Sequence, residues 1–433
     1  MHDAAVSSSS LDCLPSGLPS SVVPVTVAVL APLTLMVPLV APLITPLVAP
    51  LVAVTVVVSA VSAVSAATLS KGKGKNKISE SLHPLHRSLQ NITTMLDPNY
   101  WEACCPFLNV KRDDTVDSTS PLPSNQPALS SNPNTSPCNI NEANKTAELH
   151  SRGFFHIPST SLNFPQHLIH NLAKGVVQLR NLGHAASAIS SYDEHWTLQN
   201  HLTPLITRIT NLPPSGDCYS FYVDAACPSG FVGAHRDKPM ATIDSFRDPP
   251  NNNAPKYVTV WVAVTPATPS SSCLYFVPKN HDEGYYSSGD ALDVVLPDPL
   301  SWQNIFAAPC SPGDLLCFSH RVVHWASRAK DGAEPRVALS FAMSDPEFET
   351  ANFVQTPYPP LKLRVGLTAA QAIMYNSQVP MHKHELALNN RIFMASKGLF
   401  HSDYAQRISQ ESQYLKYKAK NAGVAKKIDM NRN

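Results

Sequence analysis

Glycine is scarce in this sequence, at 16 of 433 residues, and none of the glycine-rich signatures occurs. There is no GxGxxG, no GxxxxGK and no GxSxG, which removes the usual phosphate-cradling loop and the nucleophile elbow. HExxH is absent too. Cysteine stands at nine, with no CxxC spacing. That pattern is neither a zinc ribbon nor a small disulfide scaffold, and free thiols are expected. Charged residues make up 15%, against about 25% in ordinary soluble domains. The net charge of +1 argues against a strongly basic nucleic-acid binder, so no nucleic-acid partner is expected.

Proline, in contrast, is abundant, at 39 residues. Residues 1–70 carry only Asp3 and Asp12 as charges, and Pro38, Pro42, Pro46 and Pro50 recur every four residues. Each proline removes a helical hydrogen bond and clashes one turn back, so this part is a poor helix. Residues 51–69 are proline-free and long enough for a thin bilayer. Lys71, Lys73, Lys75 and Lys77 follow at once, a flank that keeps its side cytosolic. Residues 1–77 are therefore read as an apolar, low-complexity leader. It is a candidate membrane anchor leaving a cytosolic catalytic body, with organelle targeting as the alternative.

Residues 78–110 read as a short helical region. Residues 111–146, rich in Ser, Pro, Asn and Asp, have little to bury and read as a disordered linker. From about 147 the texture changes. Apolar residues at helical spacing occupy 164–182 and 196–211, and strands then take over. Residues 256–264 alternate strictly: Val258, Val260, Val262 and Val264 share one face, and Tyr257, Thr259, Trp261 and Ala263 the other. Further short strands are expected at 217–224, 273–277, 293–296, 314–319, 321–326 and 336–343. This spacing suggests a β sandwich or barrel with flanking helices over 147–366. Residues 367–433 form a helical extension.

The residues that suggest chemistry are His235-Arg236-Asp237, His324 and Arg336. A His, a carboxylate two residues on and a distant second His form a facial 2-His-1-carboxylate set with open positions for oxygen chemistry at Fe(II). On a strand end, residues i and i+2 point to the same side. The spacing alone is weak, since His401-Ser402-Asp403 repeats it in a helical stretch. His320 competes with His324 for the second ligand, and Arg321 and Arg328 compete with Arg336. A surface histidine beside a turn aspartate is the plain alternative.

Residues 147–350 resemble the phytanoyl-CoA dioxygenase family, among the Fe(II)- and 2-oxoglutarate-dependent oxygenases. The likeness rests on GFFHIP (153–158), the His235–Asp237 motif, VTVWVAVTPATPSSSCLYFVPKNH (258–281) and SPGDLLCFSHRVVHWASRAKDGAEPRVALSFAM (311–343), in that order. It implies a double-stranded β-helix core of the jelly-roll or cupin-like kind. His235, Asp237 and His324 then become catalytic metal ligands, and Arg336 the partner of the 2-oxoglutarate distal carboxylate. Trp261 is expected to wall the cosubstrate pocket. Two departures stand out. Ser270-Ser271-Ser272 replace the family's frequent Glu-Asn-Gly, losing a turn glycine. Ala326 stands where a hydroxyl often helps hold the cosubstrate, with Ser327 adjacent as the candidate replacement.

The implied activity is hydroxylation of a small-molecule or acyl substrate by Fe(II), 2-oxoglutarate and O2, releasing succinate and CO2. An intact Asp237 argues against halogenation. The rival readings are a non-catalytic β-helix binding or scaffold protein, and a metal-dependent enzyme of this fold without 2-oxoglutarate. Neither substrate nor oligomeric state is legible.

Overall fold

The computed structural model describes residues 91–111, 140–225, 233–247, 254–287, 300–375 and 383–430. The leader, residues 112–139 of the expected linker and the expected strand at 293–296 lie outside these. Among the described residues, no helix is long and apolar enough to cross a membrane. The helix Ser402–Met430 is long enough, but Asp403, Arg407, Glu411 and Lys416 interrupt it. The expected membrane-anchored placement and membrane association are therefore corrected and withdrawn; the stretch 51–69 itself lies outside the described residues.

The core is built from two antiparallel sheets. The larger contains β1 (Phe154–Ile157), β2 (Pro214–Val223), β5 (Tyr257–Ala263), β8 (Leu315–Ser319) and β10 (Arg336–Ser344), in the order β1-β8-β5-β10-β2. The smaller contains β6 (Leu274–Val277), β7 (Phe306–Ala308) and β9 (Val323–Ala326), in the order β7-β6-β9. A short pair, β3 (Phe246–Arg247) with β4 (Ala254–Pro255), stands beside them. From β5 onward the chain passes repeatedly between the two main sheets, which makes the core a double-stranded β-helix.

Alternation along each strand explains the layering. Val258, Val260 and Val262 of β5, with Leu315 and Cys317 of β8 and Val337 and Leu339 of β10, enter one buried cluster. Helices α4 (Gln166–Asn181), α5 (Asp193–Thr210) and α6 (Leu361–Met374) cover that face. The opposite residues, Trp261, Ala263, Leu316, Phe318 and Ala338, form a second cluster with Leu274 and Phe276 of the smaller sheet. The valine face of β5 thus serves helix packing, and its Thr259/Trp261 face turns toward the second sheet.

The flanking segments share the first cluster. Helices α1 (Ile92–Met95) and α2 (Pro98–Cys104) insert Trp101, fully buried, whose Nε1 donates to the Met95 carbonyl at 2.9 Å. Helices α7 (Lys383–Ser396) and α8 (Ser402–Met430) contribute Phe393 and Ile408. Helix α3 (Glu142–Arg152) begins inside the stretch expected to be a linker, because Asn141 accepts from the Asn144 N–H and caps it. It stops at Gly153, whose φ is +83° and where a Cβ would meet Val322 Cγ2 at 2.6 Å. Glycine at this cap lets the chain turn directly from α3 into β1. The described cysteines are buried free thiols.

Candidate metal centre

His235 and His324 are brought together by backbone pairing. The His235 N–H donates to the His324 carbonyl at 3.0 Å, and the return bond is also 3.0 Å. The free edge of β9 is thus extended by His235, and the imidazole centroids lie 4.3 Å apart. Asp237, two residues on, places Oδ1 at 3.6 Å from the Nε2 atoms of both histidines. One donor atom from each of the three residues lies within 4.8 Å of the others.

Second partners fix each donor. The His235 Nδ1–H donates to the Gly233 carbonyl at 2.7 Å, and the His324 Nδ1–H to the Val322 carbonyl at 3.1 Å. A carbonyl only accepts, so both rings carry their proton on Nδ1 and offer an Nε2 lone pair. Thr259 donates to Asp237 Oδ2 at 2.5 Å, leaving Oδ1 toward the histidines. Burial alone would raise the Asp237 carboxyl. His324, His235 and the Thr259 bond outweigh it and hold Asp237 well below the usual carboxylate range. His324 is pulled down to about 4, chiefly by burial and then by the His235 charge. At neutral pH Asp237 is a carboxylate and His324 a neutral imidazole, the protonation states a divalent metal requires of them.

Thr259 gives the first prediction. A Thr259→Val variant keeps the shape and removes the bond to Asp237. Its Fe(II) affinity should fall roughly ten- to hundredfold, read by anaerobic metal titration. Unchanged affinity would assign Thr259 to packing alone.

The three residues open into a cavity of about 220 Å3, also lined by Trp261, Arg336, Phe318 and Tyr257. Arg336 is 1% exposed. Its Nε donates to the Ser272 carbonyl at 3.1 Å and its Nη2 to Ser272 Oγ at 3.2 Å. Its Nη1 has no partner among the described residues. Burial pulls its pKa down to about 10, so it stays charged at neutral pH. An orphaned buried guanidinium N–H costs free energy unless a ligand meets it, and a planar carboxylate suits the fork. Ser272 has φ +69°, the left-handed backbone that the missing glycine would adopt freely. Its carbonyl and hydroxyl together anchor Arg336.

The structure therefore places His235, Asp237, His324, Arg336 and Trp261 around one cavity. It does not bring Ser327 there; Ser327 Oγ reaches the Pro269 carbonyl at 3.4 Å. His320 lies in the turn before β9, where its ring meets the Tyr257 carbonyl at 2.9 Å and Ser245 Oγ at 2.7 Å. Arg321 is buried and donates to the Lys238, Pro239 and Tyr285 carbonyls. Arg328 is exposed. A second grouping, His156, Cys310 and Asp314, has a structural account. Asp314 accepts from the Ser159 and Ser311 N–H groups at 2.7 and 2.9 Å, stapling a turn. Burial pushes the Cys310 thiol up to about 12.

Residues 156–338 match the family model of phytanoyl-CoA dioxygenase. That segment is similar to the phytanoyl-CoA dioxygenase family. The chain is 32% identical over 112 residues to the methylphosphonate hydroxylase of Gimesia maris, covering 25% of this chain and 38% of that protein. This chain thus spans well under half the length of that relative. Among solved structures, HygX from Streptomyces hygroscopicus, with nickel and 2-oxoglutarate bound, is 14% identical, covering 48% of this chain and 88% of that one, with TM-score 0.37. The α-ketoglutarate-dependent epimerase SnoN from nogalamycin biosynthesis is 16% identical, covering 47% and 80%, with TM-score 0.34. The donor set fits the cofactors of the family this segment resembles: the imidazole and carboxylate atoms fit Fe(II), and the orphaned Arg336 N–H fits the carboxylate of 2-oxoglutarate.

Proposed function

We propose that this protein is an Fe(II)- and 2-oxoglutarate-dependent dioxygenase that hydroxylates a small molecule. The observation that carries the reading is Arg336, buried with an unpartnered N–H in the cavity that His235, Asp237 and His324 line. A metal-dependent enzyme without 2-oxoglutarate, or a scaffold, has no use for a buried orphan guanidinium beside a ligand triad.

His235 Nε2, His324 Nε2 and Asp237 Oδ1 would hold the metal on one side, leaving the cavity side open. Arg336 would pair with the distal carboxylate of 2-oxoglutarate, and Trp261 would wall it; the Arg336 guanidinium carbon already lies 5.5 Å from the Trp261 ring centroid. When bound, Fe(II) and 2-oxoglutarate supply activation of O2 for oxidation of a substrate C–H bond, with succinate and CO2 as co-products. The protein orients these groups and excludes water. Phe318, with its ring centroid 4.5 Å from that of His324, and Phe276, at 6.0 Å, dry the inner side of the ligand set. The cavity is small, and cosubstrate would take part of it, which favours a compact metabolite over a bulky acyl thioester.

Anaerobic titration with Fe(II) and then 2-oxoglutarate, followed by succinate release in air, tests the reading. Arg336→Ala should weaken 2-oxoglutarate roughly ten- to hundredfold and leave Fe(II) affinity unchanged. If 2-oxoglutarate does not bind the native protein, the oxygenase reading falls.

A further inference from the structure

The cavity contains a second carboxylate that the metal chemistry does not use. Asp217, Tyr219 and Phe221 alternate along β2 and all line the cavity. Strand pairing locates Asp217. Cys218 pairs with Phe341 of β10, where a register shift follows, and Ala342 pairs with Thr259 of β5. Asp217 therefore stands near the level of Thr259, two strands across. At the backbone that is about 10 Å. Arg336 lies at the other end of β10, opposite Val223. Along the sheet the order is Arg336, Trp261, then the ligand set, with Asp217 on the side away from the proposed cosubstrate.

Asp217 is poorly satisfied for a carboxylate in such a place. Its Oδ2 accepts from the Tyr257 hydroxyl at 3.3 Å, and no described residue donates to Oδ1. The nearby cations are committed elsewhere. Lys238 Nζ lies 2.5 Å from Glu349 Oε2, and Arg407 Nη1 lies 3.0 Å from Glu349 Oε1. Burial pushes the Asp217 carboxyl up by more than Lys238 and Arg407 pull it down, so a cation in the cavity would stabilise its charged form. The Asp217 charge is in turn the first cause that pushes the Tyr375 phenol up, which puts that ring in its field. Tyr375 and Tyr219 stand side by side, ring centroids 4.2 Å apart, and both line the cavity. A carboxylate with an open oxygen, in a cavity that two adjacent tyrosine rings also line, is the chemistry that receives an organic cation. An anionic substrate such as a phosphonate would be repelled by Asp217 and find Lys238 already paired.

We propose that Asp217, with Tyr219 and Tyr375, forms the subsite for a positively charged nitrogen, so that the substrate is a small organic ammonium compound. This rests on the oxygenase reading for the reaction, but the subsite is testable without it.

The test is calorimetric titration of the full chain, both unloaded and loaded anaerobically with Fe(II) and 2-oxoglutarate. The probes are choline, its neutral isostere 3,3-dimethylbutan-1-ol, n-butylamine and butyrate. The expected result is that one cation binds roughly tenfold or more tighter than the neutral isostere and butyrate. Asp217→Asn should erase that preference while the Fe(II) and 2-oxoglutarate titrations stay unchanged. Tighter butylamine assigns an N–H donor to Oδ1, and tighter choline assigns the ring faces. Binding of both cations no tighter than that of the neutral isostere and butyrate in the native protein, no binding of either cation, or a preference that survives Asp217→Asn overturns the proposal. Failure of Fe(II) or 2-oxoglutarate to bind overturns the oxygenase reading instead, and the ammonium preference is then read in the unloaded protein.

Discussion

Asp237→Ala, assayed in halide-free buffer, is expected to lose more than about a hundredfold in Fe(II) affinity and to release no succinate. Loss of a partner behind a metal ligand already costs ten- to hundredfold, and here the ligand itself goes. Asp237 is the anionic member of the set. Its Oδ1 stands 3.6 Å from both Nε2 atoms, and without it two neutral imidazoles face a divalent cation. Halide is excluded because a chloride ion would fit the vacated position in charge. The fold should persist, since Asp237 lines a cavity and is half-buried. Thermal melting of the metal-free protein checks that separately from the titration. A variant that titrates like the native protein would make Asp237 an ordinary turn residue and remove the metal centre with it.

The part of this site that alternation governs was legible in the sequence. Strict period-two patterning at 257–264 separates the valines, which pack on helices, from Thr259 and Trp261, which line the cavity. Context around His235 likewise separates it from His401, whose His-x-Asp spacing lies at the start of α8. Residues that act through long-range contact were less visible. Nothing near Thr259 in sequence announces its bond to Asp237, which crosses 22 positions. The loss of a glycine at Ser272 was visible. Its consequence was not, because the left-handed backbone that aims both Ser272 oxygens at Arg336 arises only in the folded turn. His320 competes with His324 in the sequence; β9 begins at Val323, so the turn before it sends His320 to Ser245 instead. The strands β1 and β7 are three or four residues long, too short for a period to declare itself.

Asp282→Ala should destabilise the protein by about 3–5 kcal/mol, the largest stability loss expected from a single substitution near the site. Arg236 lies between two of the proposed ligands, and its side chain points away from the cavity into the protein. Its Nη1 donates to Asp282 Oδ2 at 2.6 Å and its Nη2 to Oδ1 at 2.9 Å, with the Arg321 carbonyl as a further acceptor. The side chains are 2% and 0% exposed. Removing the carboxylate strands a guanidinium where water does not reach, against a total stability of about 5–15 kcal/mol for a typical domain. Because Arg236 tethers the backbone carrying His235 and Asp237, Fe(II) affinity should fall as well. Denaturant unfolding of the metal-free variant reads the first effect, and anaerobic titration below the melting point reads the second. The paired replacement Arg236→Met with Asp282→Leu removes both charges and should recover much of the stability but not the metal affinity, since the apolar pair lacks the bidentate geometry. Full recovery of metal binding in that double variant would mean that packing alone sets the ligand geometry. A loss below about 1 kcal/mol for Asp282→Ala, the range of an exposed pair, would mean that water reaches Arg236 and that the tether is not what orders the ligands.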